Sequence, residues 1–494
     1  MRWLERAGAL IVGALPALAF PQAAQWWLGF VGLVPLLLVI RAAPSSREAA
    51  LRTWLGGMGF VIAVHYWVIP NVGLFVVPIG LFLGGFLVPW GLLGWSLLRL
   101  PLSTSRFALA LVLLPSAWVA AEFVWSWDRL GGPFGLLGST QWNDLPELSL
   151  AAVGGVWAVS FVLAAANVAM TTAVLPRVTA RLRIGALIAV FGIVAVGPVY
   201  ALLRRELPTV RTVHVAGVQP GVIRPVVPRF EASNRATLAL PRGRFDLVVW
   251  GESSVGLDPE RHLEYLRSMS ATSKTIGADL VANVDARVGS SGILKQSVLV
   301  GPDGVHGRYD KMRLVPFGEY IPLRPIFGWV ELITRAPAQD RHRGGRLVLF
   351  DARGMKIGPL ICFESAFPDM TRHLTRMGAD LILIQSSDST FQDSWEPAQH
   401  ASLAAVRAVE TGRPVLQATL TGVSAAFDAE GHQLLWFDTG HRGLYTVTIP
   451  LTRGTTWFVR FGDWVPAGCF ALLLGSAPLA GLIALRRRQG AEAP

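Results

Sequence analysis

The chain has 494 residues, 52% of them hydrophobic and only 16% charged, where an ordinary soluble domain carries about 25% charged residues. The formal net charge is +11, but residues 206–456 hold 27 Lys and Arg against 25 Asp and Glu, and the rest of the chain holds 17 against 8. The basic excess therefore belongs to the hydrophobic parts, where short flanking loops collect arginine. This is a topology signal and argues against a nucleic-acid partner.

Eight apolar stretches approach or reach the roughly 17–25 residues that cross a bilayer: 7–20, 25–40, 54–69, 72–98, 107–125, 148–174, 184–203 and 464–485. The first is short and contains Pro16. With Arg2 and Arg6 ahead of it, it also has the form of a signal peptide, a reading disfavoured by the spans that follow at once. Alternate connections carry Arg2 and Arg6; Arg41, Arg47 and Arg52; Arg99 and Arg106; Arg177, Arg181 and Arg183; and Arg486 to Arg488, while the intervening short loops hold almost none apart from Arg129. With the rich loops cytoplasmic, the seventh span exits outward and the long region after it is exported. Arg204 and Arg205 lie on the wrong side, but long exported segments translocate regardless of nearby charge.

The expected organisation is an N-terminal transmembrane domain over 1–205 (about seven helices), an extracytoplasmic catalytic domain over 206–456, and a C-terminal helix with a cytoplasmic tail over 457–494. The outer loop 126–147, with Trp127, Phe134 and Trp142, reads either as an interfacial aromatic belt or as a loop beside a lipid entry site. His65 reads as a packed, hydrogen-bonded residue in preference to a proton relay.

The exported region alternates β-rich runs (212–218, 246–250, 279–283, 297–300, 346–351, 358–363, 380–385 and 415–418) with helix-compatible stretches at 259–276, 367–378 and 398–411. Such alternation implies a layered α/β domain with its chemistry at strand ends. The two cysteines, Cys362 in this region and Cys469 in the last apolar stretch, are poorly placed for a disulfide. No Cys/His spacing resembles a zinc site, and neither a metal nor a cofactor is expected.

Three segments set a reactive side chain just past a hydrophobic strand or hairpin. Asp246-Leu-Val-Val-Trp-Gly-Glu252 ends in a carboxylate. Gly358-Pro-Leu-Ile-Cys-Phe-Glu364 presents a thiol and, two residues on, an acid. Tyr309-Asp-Lys-Met-Arg-Leu-Val-Pro-Phe-Gly-Glu319 presents a lysine and, eight residues later, an acid. Singly, each has a plain structural explanation: Glu252 as a helix-capping acid, Lys311 as a surface lysine of a hairpin, Cys362 as a small core residue. Together they suit nucleophilic acyl transfer. A thiol with a pKa of about 8.5 needs a base or a nearby cation. Glu252 would take the Cys362 proton, Lys311 would stabilise the oxyanion, Glu319 would hold Lys311, and Glu364 would support a loop through backbone amides. No histidine, His400 included, is placed by sequence to pair with a serine or cysteine.

These residues resemble the Glu-Lys-Cys triad of the nitrilase superfamily. Over nearly its whole length the chain resembles the membrane-integrated branch of that superfamily, the apolipoprotein N-acyltransferases. The resemblance is carried by the lysine segment through Pro322, by Gly154-Gly-Val-Trp-Ala-Val-Ser-Phe161, by Arg407-Ala-Val-Glu-Thr-Gly-Arg-Pro414 and by Arg460-Phe-Gly-Asp-Trp464. It implies a multi-span α-helical membrane domain joined to an α/β nitrilase-like αββα sandwich, in the bacterial inner membrane with the catalytic domain periplasmic, and a monomer. It implies Glu252, Lys311 and Cys362 as catalytic residues, with Glu319, Phe363 and Glu364 in support. An acyl chain would pass from a phospholipid to Cys362 as a thioester, then to the α-amino group of a diacylglyceryl-cysteine on an apolipoprotein.

The sequence departs from that family at several positions. Gly251 stands where a proline is usual and Phe363 where a tyrosine is usual. Lys295-Gln296 replaces Tyr-Asn, Ser387-Asp-Ser-Thr-Phe391 replaces Asn-Asp-x-Trp-Phe, and Gln417-Ala-Thr-Leu-Thr-Gly422 replaces Arg-Ala-Thr-Asn-Thr-Gly. A tryptophan expected soon after the first strand is not found in 217–230. A diverged paralogue with an altered acceptor, a membrane-tethered nitrilase-type amidohydrolase, and a non-catalytic lipid-binding scaffold therefore stay open.

Overall fold

Helices of the N-terminal half begin where the sequence offers caps on its arginine-rich side. In a computed structural model, which describes residues 2–288, 292–334, 337 and 339–476, the hydroxyls of Ser45, Ser103 and Thr179 accept from the backbone N–H of Glu48, Arg106 and Leu182. Each satisfies an otherwise orphaned first-turn donor. Among the described residues, four helical stretches are long and apolar enough to cross a membrane: Tyr66–Leu97, Thr104–Trp125, Val156–Val174 and Ala180–Leu203. Arg2–Gly13, Leu28–Arg41 and Ser46–Val64 pack with them. Backbones approach closely where glycines meet: a Cβ on Gly57 would lie 2.5 Å from the Gly84 carbonyl oxygen, the small-residue contact typical of helices in lipid.

Two expected spans have different bounds. The stretch 54–69 is not one helix: Ser46–Val64 ends at His65, and a new helical run starts at Tyr66. Hydropathy misplaced the start because Arg47, Glu48 and Arg52 look like loop residues. Arg52 is in fact buried, paired with Glu48 and Glu5. The stretch 148–174 divides at Gly155 (φ +70°), after which Val156 opens a helix whose first N–H is accepted by Glu410 at 2.8 Å. The last apolar helix is described over Trp464–Ser476. The remainder of the expected span to 485, and Arg486 to Arg488, lie outside the described residues.

The polar region folds into twelve strands: β1 (Thr209–Gln219), β2 (Leu247–Trp250), β3 (Asp279–Val288), β4 (Gly292–Gly301), β5 (Gly304–Asp310), β6 (Phe350–Ala352), β7 (Met355–Ile361), β8 (Leu381–Ser386), β9 (Val415–Thr419), β10 (Ser424–Phe427), β11 (Gln433–Phe437) and β12 (Gly443–Thr452). They form two six-stranded sheets, ordered β12-β1-β2-β3-β4-β5 and β11-β10-β9-β8-β7-β6. Each has a parallel centre, β1-β2-β3 in one and β7-β8-β9 in the other. Central parallel strands covered on both faces read as unbroken apolar runs, as Leu247-Val-Val-Trp250 and Leu381-Ile-Leu-Ile384 do.

Val213, Val249, Leu299, Ile357, Leu383 and Leu416 share the core between the sheets. Leu263–Ile276 covers the outside of the first sheet. Pro368–Met377 and Glu396–Thr411 cover the second, and their outer sides join one continuous core with Leu148, Val156 and Trp157 of the membrane helices. The chain is thus a multi-helix membrane domain packed on an αββα sandwich, and the sheet nearest the helices carries β7 and β8.

Candidate active site

The parallel strands β2 and β7 deliver Glu252 and Cys362 to the same end of the sandwich, the carboxyl ends where α/β sheets place their chemistry. No helix starts at Ser253 or Ser254, since the next one is Leu263–Ile276, so Glu252 is not a helix cap. Its backbone N–H donates to the Ser386 carbonyl at 3.0 Å. Gly251 accounts for one departure from the family pattern. A Cβ there would lie 1.9 Å from the Leu420 backbone nitrogen, so the 417–422 segment presses against this position and leaves room only for glycine.

Lys311 follows β5 of a hairpin, yet it is completely buried. Its Nζ lies 2.9 Å from Glu319 Oε2 and 3.8 Å from Glu252 Oε1. Burial alone would favour the neutral amine. The carboxylates of Glu319 and Glu252 outweigh it and hold Lys311 charged, well above the usual lysine range. Glu319 also accepts from Arg341 at 2.6 Å and from the Val315 N–H at 3.0 Å. Burial pushes its carboxyl up, but Lys311 and Arg341 pull it well below the ordinary carboxylate range.

Cys362 opens the short turn Cys362–Ala366 with φ +54°, a left-handed conformation that is uncommon outside glycine. Burial, then the Glu252 carboxylate, drive its thiol well above the ordinary range, with Lys311 opposing. The resting Cys362 side chain is therefore a neutral thiol, which would need a base before it could act as a nucleophile. Glu364, fully buried two residues on, accepts from the Tyr309 hydroxyl (2.8 Å) and from the backbone N–H groups of Met312 (2.6 Å), Arg313 (3.0 Å) and Ile361 (2.8 Å). One carboxylate thus ties the lysine segment to the cysteine turn.

Phe363 is half-buried and meets Phe367 edge-on at 5.1 Å. It abuts Gly132, where a Cβ would lie 2.6 Å from its ring. The 126–147 loop of the membrane domain therefore closes on the cysteine turn. Arg343 pairs with Asp128 at 2.6 Å, Phe134 packs on Trp67 and His65, and Trp142 stacks on Trp436. Phe134 packs within the membrane domain and Trp142 against the sandwich, which corrects the aromatic-belt reading for both; Trp127 alone of the three is exposed. Lys295 at another departure pairs with Asp285 and the Ser253 hydroxyl.

Sequence reasoning missed His400 and Asp388. His400 Nε2 lies 3.2 Å from the Cys362 carbonyl oxygen and 2.9 Å from Ser365 Oγ, and Nδ1 lies 3.1 Å from Asp388 Oδ1. Asp388 follows β8 as Glu252 follows β2, so the same strand-end pattern would have found it. With Glu396, these are the group of three potential metal-ligating side chains among the described residues, their ligand atoms within 4.8 Å of one another. Both imidazole nitrogens already face oxygen atoms, which favours an ion pair over a metal site. Cys362 and Cys469 are both free thiols.

Comparison with known proteins decides the family. Residues 12–169 match the model of the apolipoprotein N-acyltransferase N-terminal domain, and residues 226–457 match that of carbon-nitrogen hydrolase. Apolipoprotein N-acyltransferase of Azotobacter vinelandii is 31% identical, covering 100% of this chain and 98% of the relative; that of Pseudomonas paraeruginosa is 30% identical over 96% of each. The chain belongs to the apolipoprotein N-acyltransferase family. It is accordingly an acyltransferase of the carbon-nitrogen hydrolase superfamily, and the resemblance read from its sequence is borne out. Among solved structures, a CN-hydrolase superfamily protein of Xanthomonas campestris is similar to 49% of this chain and 91% of its own, at 20% identity and a TM-score of 0.39.

Proposed function

We propose that this enzyme moves an acyl chain from a phospholipid to the N-terminal diacylglyceryl-cysteine of apolipoproteins, with Cys362 as nucleophile, Glu252 as base and acid, and Lys311 as oxyanion donor. The observation that carries the reading is the enclosed Glu252–Lys311–Cys362 group set against an apolar helical domain. Glu252 takes the thiol proton as sulfur attacks the ester carbonyl, and Lys311 meets the negative charge that forms on oxygen. The lysophospholipid leaves as an alcohol, taking the proton from Glu252. The acceptor amine then attacks the thioester, Glu252 removes its proton, and the thiol is restored.

Glu319 and Glu364 position this machinery, and Phe363 forms part of its wall beside the membrane loop. Alternation of arginine-rich loops supports an inner-membrane enzyme with residues 206–456 periplasmic, flanked by membrane parts 1–205 and 457–494, acting as a monomer without cofactor. Mass spectrometry of purified enzyme after incubation with phospholipid tests it: an acyl adduct on Cys362 is expected, discharged on addition of a diacylglyceryl peptide. Discharge by water at the same rate without the peptide would favour the amidohydrolase reading instead.

A further inference from the structure

A residue held at positive φ without being glycine persists only where its surroundings over-determine it. Cys362 is such a residue, at φ +54°, and it is the one whose sulfur must be placed to within a fraction of an ångström. Its backbone is held by residues outside the Glu252, Lys311 and Cys362 group.

The Cys362 carbonyl is turned inward to His400, which is buried on helix Glu396–Thr411. A carbonyl oxygen can only accept a hydrogen bond and an ionised carboxylate can only accept. His400 faces the first with Nε2 and the second, Asp388 Oδ1, with Nδ1. Both contacts are satisfied together only when both ring nitrogens carry hydrogen. Geometry thus assigns an imidazolium, with Ser365 Oγ sharing the Nε2 donor at 2.9 Å. Asp388 is itself fixed from two sides: its Oδ1 accepts from Ser386 Oγ at 2.9 Å, and its N–H donates to the Thr421 carbonyl at 2.8 Å. The anchor therefore reaches from the end of β8, through a helix, to the backbone of the nucleophile.

We propose that Asp388 and His400 form a positioning pair, in which an imidazolium held by Asp388 grips the Cys362 carbonyl and keeps the nucleophile in its left-handed conformation. The pair acts on Cys362 through its backbone carbonyl. The electrostatics agree with the geometry: burial opposes charge on His400, but Asp388 and then Glu396 outweigh it, pushing its pKa up to about 9. Glu396, 3.7 Å from Nδ1, is itself held well above the carboxylate range by burial and by Asp388.

The inference rests on Cys362 being the nucleophile, and its test separates the two. His400→Gln keeps an amide donor near the place of Nε2 and gives up the contact with Asp388. His400→Asn keeps a donor near the place of Nδ1 and gives up the Cys362 carbonyl. Measured with full-length enzyme and phospholipid vesicles, acyl-enzyme formation at saturating donor is expected to fall roughly 10²-fold in His400→Asn, as for an ångström-scale misplacement. The donor KM stays unchanged, and His400→Gln retains most of the rate. A role limited to holding Asp388 predicts the reverse order, and a role limited to filling space predicts no loss in the nearly isosteric Asp388→Asn. Should either variant fail to fold, Asp388→Asn serves: it removes the charge that keeps His400 doubly protonated and is expected to slow acylation with the fold retained. His400→Asn matching His400→Gln, Asp388→Asn at the wild-type rate, or a loss confined to KM would overturn the proposal. Acylation persisting in Cys362→Ala would instead overturn the assignment of the nucleophile.

Discussion

Replacing Glu364 by glutamine removes one negative charge and, at one of its two terminal positions, turns an acceptor into a donor. The wild-type Oε1 accepts three hydrogen bonds, from Tyr309 OH, Met312 N–H and Arg313 N–H, and Oε2 accepts one from Ile361 N–H. The amide will settle with its oxygen toward the three donors and its NH2 toward Ile361, the lesser loss. One buried backbone N–H is then left facing another donor, and three charge-assisted bonds become neutral ones. At about 1.5–3 kcal/mol for a bond to a charged group and about 1 kcal/mol for a neutral one, with a desolvation penalty of about 1–3 kcal/mol for the orphaned donor, the combined cost is about 2.5–9 kcal/mol. Ile361 immediately precedes the nucleophile and Met312 immediately follows Lys311, so the damage should fall on their mutual placement. Thermal unfolding in detergent, read beside the rate of acyl-enzyme formation, is the assay. A Glu364→Gln enzyme with unchanged melting and unchanged acylation would refute the claim that this carboxylate ties the two segments together.

The remaining predictions concern the same group of residues. Lys311→Ala should cost about 3–4 kcal/mol of transition-state stabilisation, the loss typical of one oxyanion donor, and single-turnover acylation would reveal it; a near-normal rate would remove Lys311 from that role. Glu319→Gln leaves buried Lys311 and Arg341 sharing a neutral partner and should destabilise the protein by about 3–5 kcal/mol, seen as a fall in melting temperature. Because the Cys362 thiol is raised, thiolate grows with pH across the whole accessible range. Its alkylation by iodoacetamide should therefore keep rising through pH 9, and levelling off at neutral pH would reveal a resting thiolate. Gly251→Ala would press a methyl onto the Leu420 backbone and should cost about 1–3 kcal/mol as overpacking, measurable in the same melting assay.

That Glu252, Lys311 and Cys362 would come together was legible because each ends or follows a strand whose apolar run can be read directly, as in Leu247-Val-Val-Trp250 before Glu252. Strands built otherwise were not. β10 (Ser-Ala-Ala-Phe) has little β-branched or aromatic content, and β12 alternates buried and exposed residues through Thr446 and Thr448, so neither stood out from loop. β6 begins only at Phe350, short of the run read from 346. His400 was invisible for a different reason. Its partners come from β8 and from the turn after β7, 12 and 38 residues away, and no local pattern encodes that meeting. Aromatic residues of the outer loop were misread because composition cannot tell a lipid interface from a protein one. Phe134 and Trp142 find partners in Trp67 and Trp436, rings supplied by distant parts of the chain.

The fold also bears on which partner moves during acyl transfer. Arg407 donates to the Ala366 carbonyl at the end of the cysteine turn (2.9 Å) and to Glu410 (3.2 Å), while Glu410 accepts the first N–H of the membrane helix Val156–Val174. Glu410 thus caps a membrane helix, and Arg407 joins that cap to the nucleophile's own turn. A little further along, Gln399, next to His400, accepts from Trp67 Nε1 at 3.1 Å, just past the break at His65. The turn is consequently fixed to the lysine segment by Glu364 and to the membrane domain by Arg407 and Glu410. Swinging Cys362 toward the bilayer would break several buried hydrogen bonds at once, each costing about 1–3 kcal/mol when a partner is left unsatisfied. The lower-energy route keeps the cysteine still and brings the acyl carbonyl to it, with the Gly132 loop that abuts Phe363 as the element that must yield.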